Sequence, residues 1–203
     1  MNSLGTEIEV KFYVERLADL PRRLQEQGGR RLHARAHELN LRFDTPDGAL
    51  KREGRTLRLR RDTATTLTYK GPSSFRDGVR SRIELEVAVE DLEGARKVLE
   101  ALGYVVTFTY EKFRTTYGID EASIMLDELP FGDFVEIEGE PDALKSVAAR
   151  LGLVWQRAVK PSYLGLFEQV RRSLSLPFND LTFANFKGRT VLPSDLDVTP
   201  ADV

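Results

Sequence analysis

The stretch EIEVKF at residues 7–12 alternates charged and apolar side chains, and this alternation decides the fold. A period of two is the period of a β-strand, in which successive side chains point to opposite faces. Glu7, Glu9 and Lys11 therefore share one face of a predicted strand, and the apolar residues that follow each of them share the other. The strand has one charged face and one apolar face.

The same alternation recurs along the chain, with turn residues between the segments. Most later segments again place apolar side chains on one face and a charged or polar row on the other. Six further segments are predicted as strands: TLRLRR (56–61), TLTYKG (66–71), RSRIELEVAV (80–89), EKFRTTYGI (111–119), SIMLDEL (123–129) and FVEIEGE (134–140).

Segments of helical periodicity separate these strands or follow them. Helices are predicted over residues 19–27, over 91–103 with Asp91 as N-cap, over 142–152, and after Pro161 with Ser162 as N-cap. Strands mixed with short helices indicate an α+β protein.

The pattern decays beyond about Ser173. The next 17 residues, LSLPFNDLTFANFKGRT, are predicted to add a short helix packed on the body, and the end of the chain, with Pro193 and Pro200, a loose tail. We therefore expect one domain over residues 1–172 and a helical or irregular extension over residues 173–203.

The composition excludes several classes of protein. Lys and Arg number 30 against 32 Asp and Glu, so the chain lacks the basic excess typical of nucleic-acid binders. With no cysteine and only two histidines, it has no disulfides, thiolate metal sites or multi-histidine zinc site. The N-terminus shows no targeting pattern, and no stretch approaches the ~20 apolar residues of a membrane span. We expect a cytoplasmic protein without nucleic-acid or membrane partners.

The charged faces carry acids and bases in nearly equal number. Seven carboxylates and eight cations are involved: Glu7, Glu9, Glu84, Glu86, Asp127, Glu136 and Glu138, with Lys11, Arg58, Arg60, Lys70, Arg82, Lys112, Arg114 and Lys160. If helices cover the apolar faces, the charged faces must turn into the lumen of a closed or nearly closed barrel. Charges confined in this way need opposite charges and a bound ligand or metal to neutralise them. The pattern predicts a lumen that binds a polyanion together with cations.

The two sets of charges suit different parts of one ligand. Hard divalent ions such as Mg²⁺ and Mn²⁺ bind carboxylate oxygens, whereas guanidinium and ammonium groups suit phosphate oxygens. A chain of phosphates uses both sets, and the same groups stabilise the charge that develops during phosphoryl transfer.

Two hypotheses without catalysis stand beside an enzyme. A module that captures a triphosphate or polyphosphate without turnover would use the same cations, but it gains nothing from seven inward acids. A structural sheet protein with a polar outer face would tolerate the loss of Glu7, Glu9 or Lys11, because surface substitutions usually change stability by less than ~0.5 kcal/mol.

Taken in order, these motifs resemble the CYTH family, also called triphosphate tunnel metalloenzymes. Residues 7–11 match its E-x-E-x-K signature. Six later stretches of this chain resemble the family's other elements, in the same order: FDTPDGALKREGRTLRLRR (43–61), TYKGP (68–72), SRIELEV (81–87), YEKFRTTY (110–117), MLDELPFGDFVEIEGE (125–140) and KPSYLGLF (160–167). The resemblance covers about residues 7–168. It implies an eight-stranded antiparallel β-barrel, or tunnel, with a charged lumen, helices packed outside, and a triphosphate bound at its centre.

The resemblance also implies roles for the charged residues. The carboxylates expected to hold Mg²⁺ or Mn²⁺ are Glu7, Glu9, Asp127, Glu136 and Glu138. The cations expected to contact substrate phosphates are Lys11, Arg58, Arg60, Lys70, Arg82, Lys112, Arg114 and Lys160. The candidate catalytic residues are Lys11, Glu84 and Glu86, where either glutamate could activate water, bind a second metal or balance the arginines of the neighbouring strand.

The activities of the family leave more than one reaction open. Its members hydrolyse inorganic tripolyphosphate, thiamine triphosphate or nucleoside triphosphates, or, as class IV adenylyl cyclases, convert ATP into cyclic AMP. We expect a metal-dependent triphosphatase that acts on a small-molecule triphosphate, with the cyclase as alternative. Cyclisation would need a base-binding pocket outside the tunnel. An exposed sheet edge or apolar patch could support a homodimer.

Overall fold

The computed structural model describes residues 5–202. The predicted absence of a targeting segment falls partly on residues 1–4, and the predicted extension ends at residue 203; these five residues lie outside the described part. No helix within residues 5–202 has the length and apolar character needed to cross a membrane.

Nine strands form one antiparallel sheet. They are β1 (Gly5–Val14), β2 (Arg30–Asp44), β3 (Thr56–Arg61), β4 (Thr65–Lys70), β5 (Ser74–Arg76), β6 (Val79–Val89), β7 (Val105–Ile119), β8 (Ala122–Leu129) and β9 (Gly132–Glu138). Eight of them follow one another in the order β1, β9, β8, β7, β2, β3, β4 and β6, and β6 pairs again with β1. This pairing closes the ring and confirms the predicted eight-stranded barrel, to which β5 adds a short strand beside the start of β6.

Within residues 5–202, five α-helices accompany the barrel: α1 (Leu20–Glu26), α2 (Ala49–Arg52), α3 (Leu92–Ala101), α4 (Pro141–Arg150) and α5 (Tyr163–Ser173). The four predicted helices correspond to α1, α3, α4 and α5. The predicted caps are confirmed: Asp91 accepts from the backbone N–H groups of Glu93 and Gly94, and Ser162 accepts from that of Gly165. Such a cap typically contributes ~1 kcal/mol, because it satisfies backbone donors that the first helical turn leaves free.

The apolar faces of the strands pack outward against these helices. One buried cluster joins α1 and α4 to β1, β8 and β9, and another places α3 against β2 and β3. A third cluster packs α5 at the end of the barrel that carries the β8–β9 turn, where its Phe167 ring stacks 5.6 Å from Phe108. Ile83, Leu85 and Val87 on the outer face of β6 stay exposed, but most of the other outer faces are covered in this way, and the charged faces line the interior.

The β8–β9 turn depends on Gly132. Its φ is +144°, which side-chain-bearing residues rarely adopt, and a Cβ atom there would lie 2.7 Å from Cε2 of Tyr13. Glycine therefore lets β9 approach β1 at the point where the two strands begin to pair.

The C-terminal segment differs from the predicted loose tail. Residues 174–192 form turns instead of the predicted short helix, yet Leu181 in this segment is fully buried. Further on, the Ala201 N–H donates to the Tyr13 carbonyl at 2.8 Å, and the Asp202 carboxylate accepts from the backbone N–H groups of Glu15 and Arg16. The prediction was wrong because the backbone donors after β1 need acceptors, which this segment supplies.

Candidate functional site

The barrel lumen contains one cavity of ≈ 710 Å³. This volume lies within the range of ~300–1,000 Å³ that is typical of small-molecule sites. Fourteen of the fifteen charged residues singled out in the sequence line it: Glu7, Glu9, Lys11, Arg58, Arg60, Lys70, Arg82, Glu84, Glu86, Lys112, Arg114, Glu136, Glu138 and Lys160. The fifteenth, Asp127, is not among the lining residues.

Asp127 lies beneath the cavity wall and is fully buried. Its two carboxylate oxygens accept hydrogen bonds from Lys112 Nζ at 2.8 Å, from the Arg114 guanidinium at 2.6 Å, and from the Tyr163 hydroxyl at 2.8 Å. Lys112 is itself only 2% exposed. Burial and the Asp127 carboxylate raise the pKa of Tyr163 well above its ordinary value, so its hydroxyl stays a donor. Asp127 thus holds two lumen cations in fixed positions.

Lys11 stands beside this network. Its Nζ lies 3.2 Å from Glu136 Oε1 and 4.0 Å from the centre of the Tyr163 ring. Burial lowers the pKa of Lys11, although the attraction of Glu136 opposes that shift. Burial alone would raise the pKa of Glu136. The positive charges of Lys11 and Arg114 outweigh burial and lower the pKa of Glu136 well below its ordinary value. The cross-strand register of β1 and β9 places Lys11 directly opposite Glu136.

A second group of charges gathers where β1 meets β6. Glu7 accepts from Lys70 Nζ and from Arg82 Nε, both at 2.6 Å, and Lys70 also lies 3.0 Å from Glu84. Glu9 accepts from Arg80 at 3.2 Å. Four of the predicted residues in this group, Glu7, Glu9, Arg82 and Glu84, lie within the paired segments of the two strands, and Lys70 comes from β4.

Glu138 is the acid of this group without an ion pair in the described chain. Burial raises its pKa to about 7, and the neighbouring carboxylates Glu7 and Glu84 add to the rise. An unpaired carboxyl group among carboxylates gains from a divalent cation, and hard oxygen donors suit Mg²⁺ or Mn²⁺. The donor chemistry fits such an ion. Within residues 5–202, however, no three acidic or histidine side chains already converge in an arrangement that could hold a metal. A metal would therefore compete with the cations now bound to Glu7 and Glu9.

The remaining predicted residues occupy the wall formed by β3, β4 and β6. Arg60 lies 3.7 Å from Glu86, and Glu86 also accepts from the Thr68 hydroxyl at 3.0 Å. Arg58 contacts the Tyr110 hydroxyl at 3.3 Å. Lys160 precedes α5; its side chain lines the cavity while its backbone carbonyl accepts from Arg80 at 2.6 Å.

The structure adds site residues that the sequence analysis missed. Glu38 is 2% exposed and lies 3.5 Å from Lys112; burial would raise its pKa, but Lys112 and Arg114 lower it to about 2. Arg42, Arg80 and Tyr110 line the cavity. The missed signal was the same alternation: Glu38 and Arg42 are spaced by four on β2, and Arg80 precedes Arg82 by two.

Comparison with known proteins gives relatives in sequence and in structure. A protein of Methanocaldococcus jannaschii named "Putative adenylate cyclase" is 26% identical over 134 residues, which cover 65% of this chain and 75% of that protein. A Vibrio parahaemolyticus structure described as a "putative adenylate cyclase" aligns with a TM-score of 0.69 at 23% identity, covering 78% of this chain and 95% of that one. A Hippeastrum structure described as "Putative adenylyl cyclase HpAC1" gives a TM-score of 0.56 at 20% identity and covers 95% of this chain and 100% of that one.

At these identities the two solved structures show a shared fold. The family itself is shown by a match of the sequence to a family model, which extends from β1 to α4. The CYTH domain model matches residues 5–150, and this chain therefore belongs to the CYTH domain family, whose members include triphosphatases and adenylyl cyclases.

Proposed function

We propose that this protein is a divalent-metal-dependent phosphohydrolase that binds a triphosphate in the barrel lumen and hydrolyses inorganic tripolyphosphate or an organic triphosphate. The observation that carries this proposal is the lining of the cavity, in which both cations and carboxylates face one closed lumen. A triphosphate with a bound metal presents both charges that such a wall complements.

The cations would bind the phosphate oxygens. Lys11, Lys70, Lys112 and Arg114 are already held by carboxylates, so they are oriented before a ligand arrives. Orientation in advance lowers the cost of ordering these side chains during binding. Arg58, Arg60, Arg82 and Lys160 complete the proposed phosphate contacts.

The carboxylates would hold the metal. Glu7, Glu9 and Glu138 are the proposed ligands nearest to one another along β1 and β9, with Glu136 on the same strand as Glu138. A bound Mg²⁺ or Mn²⁺ would supply charge neutralisation of the phosphates. Asp127 was also predicted as a metal ligand. Both of its oxygens already accept hydrogen bonds, from Lys112 and Arg114, so it suits the role of positioning these two cations.

The reaction itself would use residues next to the phosphates. Lys11 would stabilise the charge that develops on a phosphoryl oxygen, because its ammonium lies inside the cavity at low exposure. Glu84 and Glu86 line the cavity from β6, the strand that pairs with β1, and would orient or deprotonate the attacking water.

An adenylyl cyclase is the second candidate, and a specific feature favours it. Phe75 is 48% exposed, lines the cavity, and has the Arg80 guanidinium 5.0 Å from its ring centre. An exposed aromatic ring at a phosphate site can stack on a base. All three proteins compared above are described as putative adenylate or adenylyl cyclases, which agrees with this reaction, but the description of the Hippeastrum protein adds a dominant triphosphatase activity.

The test is turnover of tripolyphosphate, ATP and thiamine triphosphate with Mg²⁺ or Mn²⁺, with a chelator control and separation of orthophosphate from cyclic AMP. Release of orthophosphate that stops in chelator is the expected result. Cyclic AMP from ATP, lost in the Phe75→Ala variant, would replace the hydrolase with the cyclase. Tight binding without turnover of any substrate would favour a capture module and end both enzyme proposals.

A further inference from the structure

Arg42 and Arg58 face each other across neighbouring strands. They are direct partners in the register of β2 and β3, and both line the cavity. Like charges placed opposite each other in a sheet destabilise it, unless something of opposite charge lies between or beside them. Arg42 was not among the residues that the sequence analysis selected.

Neither guanidinium has a carboxylate within 4.0 Å in the described chain. Arg42 donates to the Thr56 hydroxyl at 3.0 Å, and Arg58 donates to the Tyr110 and Thr68 hydroxyls at 3.3 and 3.4 Å. The Nε atom of Arg58 is buried and has no hydrogen-bond partner among residues 5–202. Buried N–H groups of a charged side chain are costly to leave unpaired.

Three other cations of the lumen are compensated by carboxylates. Lys70 lies 2.6 Å from Glu7, Lys112 lies 2.8 Å from Asp127, and Arg82 lies 2.6 Å from Glu7. The charge of the lumen is therefore polarised, with carboxylates around Glu7 and Glu138 and two unpaired guanidiniums on the β2–β3 wall. Burial lowers the pKa of Arg42; Tyr110 opposes that shift, and the nearby Arg58 and Arg82 charges add to it. Burial also acts to lower the pKa of Arg58, but Tyr110, Glu38 and Glu84 outweigh it and raise that pKa.

We infer that Arg42 and Arg58 form a phosphate subsite that works without metal and holds a terminal phosphoryl group, away from the carboxylates that would bind the metal. Two guanidinium groups can make paired hydrogen bonds to the oxygens of one phosphoryl group. A terminal phosphoryl group offers three free oxygens, and it would cancel the repulsion between the two arginines. The inference rests on the proposed triphosphate ligand but not on its turnover.

The experiment measures the binding of tripolyphosphate, and separately of ATP, in chelator by titration calorimetry. The wild type is compared with Arg42→Met, which keeps the apolar stem of the side chain. The matched control is Arg61→Met, an exposed arginine on the same strand as Arg58 but on the opposite face. Arg42→Met should weaken tripolyphosphate binding by about tenfold or more, as expected for loss of charge-assisted hydrogen bonds, and Arg61→Met should not.

A second readout separates ligand binding from a structural role. Because the two arginines repel each other without ligand, Arg42→Met should leave the melting temperature of the free protein equal or higher, while the ligand-induced rise becomes smaller. If Arg42→Met does not fold, Arg42→Lys serves instead, since an ammonium cannot make the paired contacts and should weaken binding several-fold. Weaker binding of either ligand by the Arg42 variant supports the subsite. The ligand that is affected shows whose terminal phosphoryl group occupies it.

Two results would overturn the inference: no binding of either ligand by the wild type in chelator, or an Arg42→Met affinity within about twofold of the wild type. Failure of the proposed function looks different. A protein that binds in chelator through Arg42 but turns over nothing retains the subsite and loses the enzyme. A protein that turns over tripolyphosphate with Arg42→Met unchanged in affinity retains the enzyme and loses the subsite.

Discussion

The inner and outer walls of the barrel treat buried acids in opposite ways. Glu38 on the inner wall is 2% exposed, yet Lys112 and Arg114 overcome its burial and lower its pKa to about 2. Asp133 at the start of β9 alternates with Glu136 and points away from the lumen; burial raises its pKa to about 6, and Glu128 adds to the rise. Burial is common to both, so the neighbouring charges decide the protonation state.

This difference explains why the lumen can hold so many charges. On the inner wall each strand places cations beside the acids of the next strand, as the register of Lys11 with Glu136 and of Lys70 with Glu84 shows. On the outer wall most of the alternate residues are apolar, and many of them pack against helices. Removing one member of the inner network should therefore cost far more than removing an exposed pair.

The largest effect is expected for Asp127→Ala. The substitution leaves Lys112 and Arg114 buried without their carboxylate, and breaking a buried pair in this way typically costs ~3–5 kcal/mol. The free energy of unfolding from urea denaturation measures it, with Asp127→Asn as the control that keeps the shape and removes the charge. A cost below about 1 kcal/mol for Asp127→Ala would mean that water reaches the network.

Lys11→Met should reduce turnover without unfolding the protein. Glu136 keeps its contact with Arg114, whereas the ammonium proposed to stabilise the phosphoryl oxygens is lost. Loss of one such donor typically lowers kcat by ~10²–10³-fold. Steady-state hydrolysis of tripolyphosphate gives the measurement, with Lys145→Met on the exposed face of α4 as control. Equal rates for the two variants would remove Lys11 from the site.

Asp133 on the outer wall and Glu38 on the inner wall should make contributions of opposite sign to the pH dependence of stability. The folded-state pKa of Asp133 is raised from 3.8 to about 6, so its contribution is present below pH 3.8 and lost as the pH rises to 6. Asp133→Asn should therefore raise stability at pH 7 by ~1–2 kcal/mol, after allowance for its partial exposure.

Glu38 serves as the opposite case. Its lowered pKa stabilises the fold above pH 4.5, and that contribution disappears as the pH falls from 4.5 to about 2. Unfolding free energies of Asp133→Asn and Glu38→Gln between pH 3 and 8 give both slopes. An Asp133→Asn protein with the wild-type slope between pH 4 and 6 would refute the contribution assigned to Asp133.

The smallest effect is expected for an exposed ion pair. Arg96 lies 2.9 Å from Glu100 on the outer face of α3, where water screens the charges. Arg96→Ala should change the unfolding free energy by less than ~0.5 kcal/mol, and 1 M salt should remove the difference. A loss comparable to that of Asp127→Ala would contradict the contrast between the walls.

Period-two alternation was sufficient to predict most strands and the face on which each charge lies. It placed Glu7, Lys70 and Glu136 on the inner wall, because side-chain direction in a strand follows from residue number alone. The helix caps Asp91 and Ser162 were equally local, since a cap contacts only the next three residues. Glu38, Arg42 and Arg80 follow the same alternation, but they were not recognised as site residues because their strands are long and mixed in composition.

What the sequence determined by itself is therefore the charged and apolar faces, the helix starts, and membership in a family with a charged barrel. Only the tertiary structure decided which charges neutralise one another. Asp127 meets Lys112 and Tyr163, and Arg42 meets Arg58 without an acid, because strand register and barrel closure set those distances. Registers arise from contacts far apart in the chain, so no local pattern of residues records them.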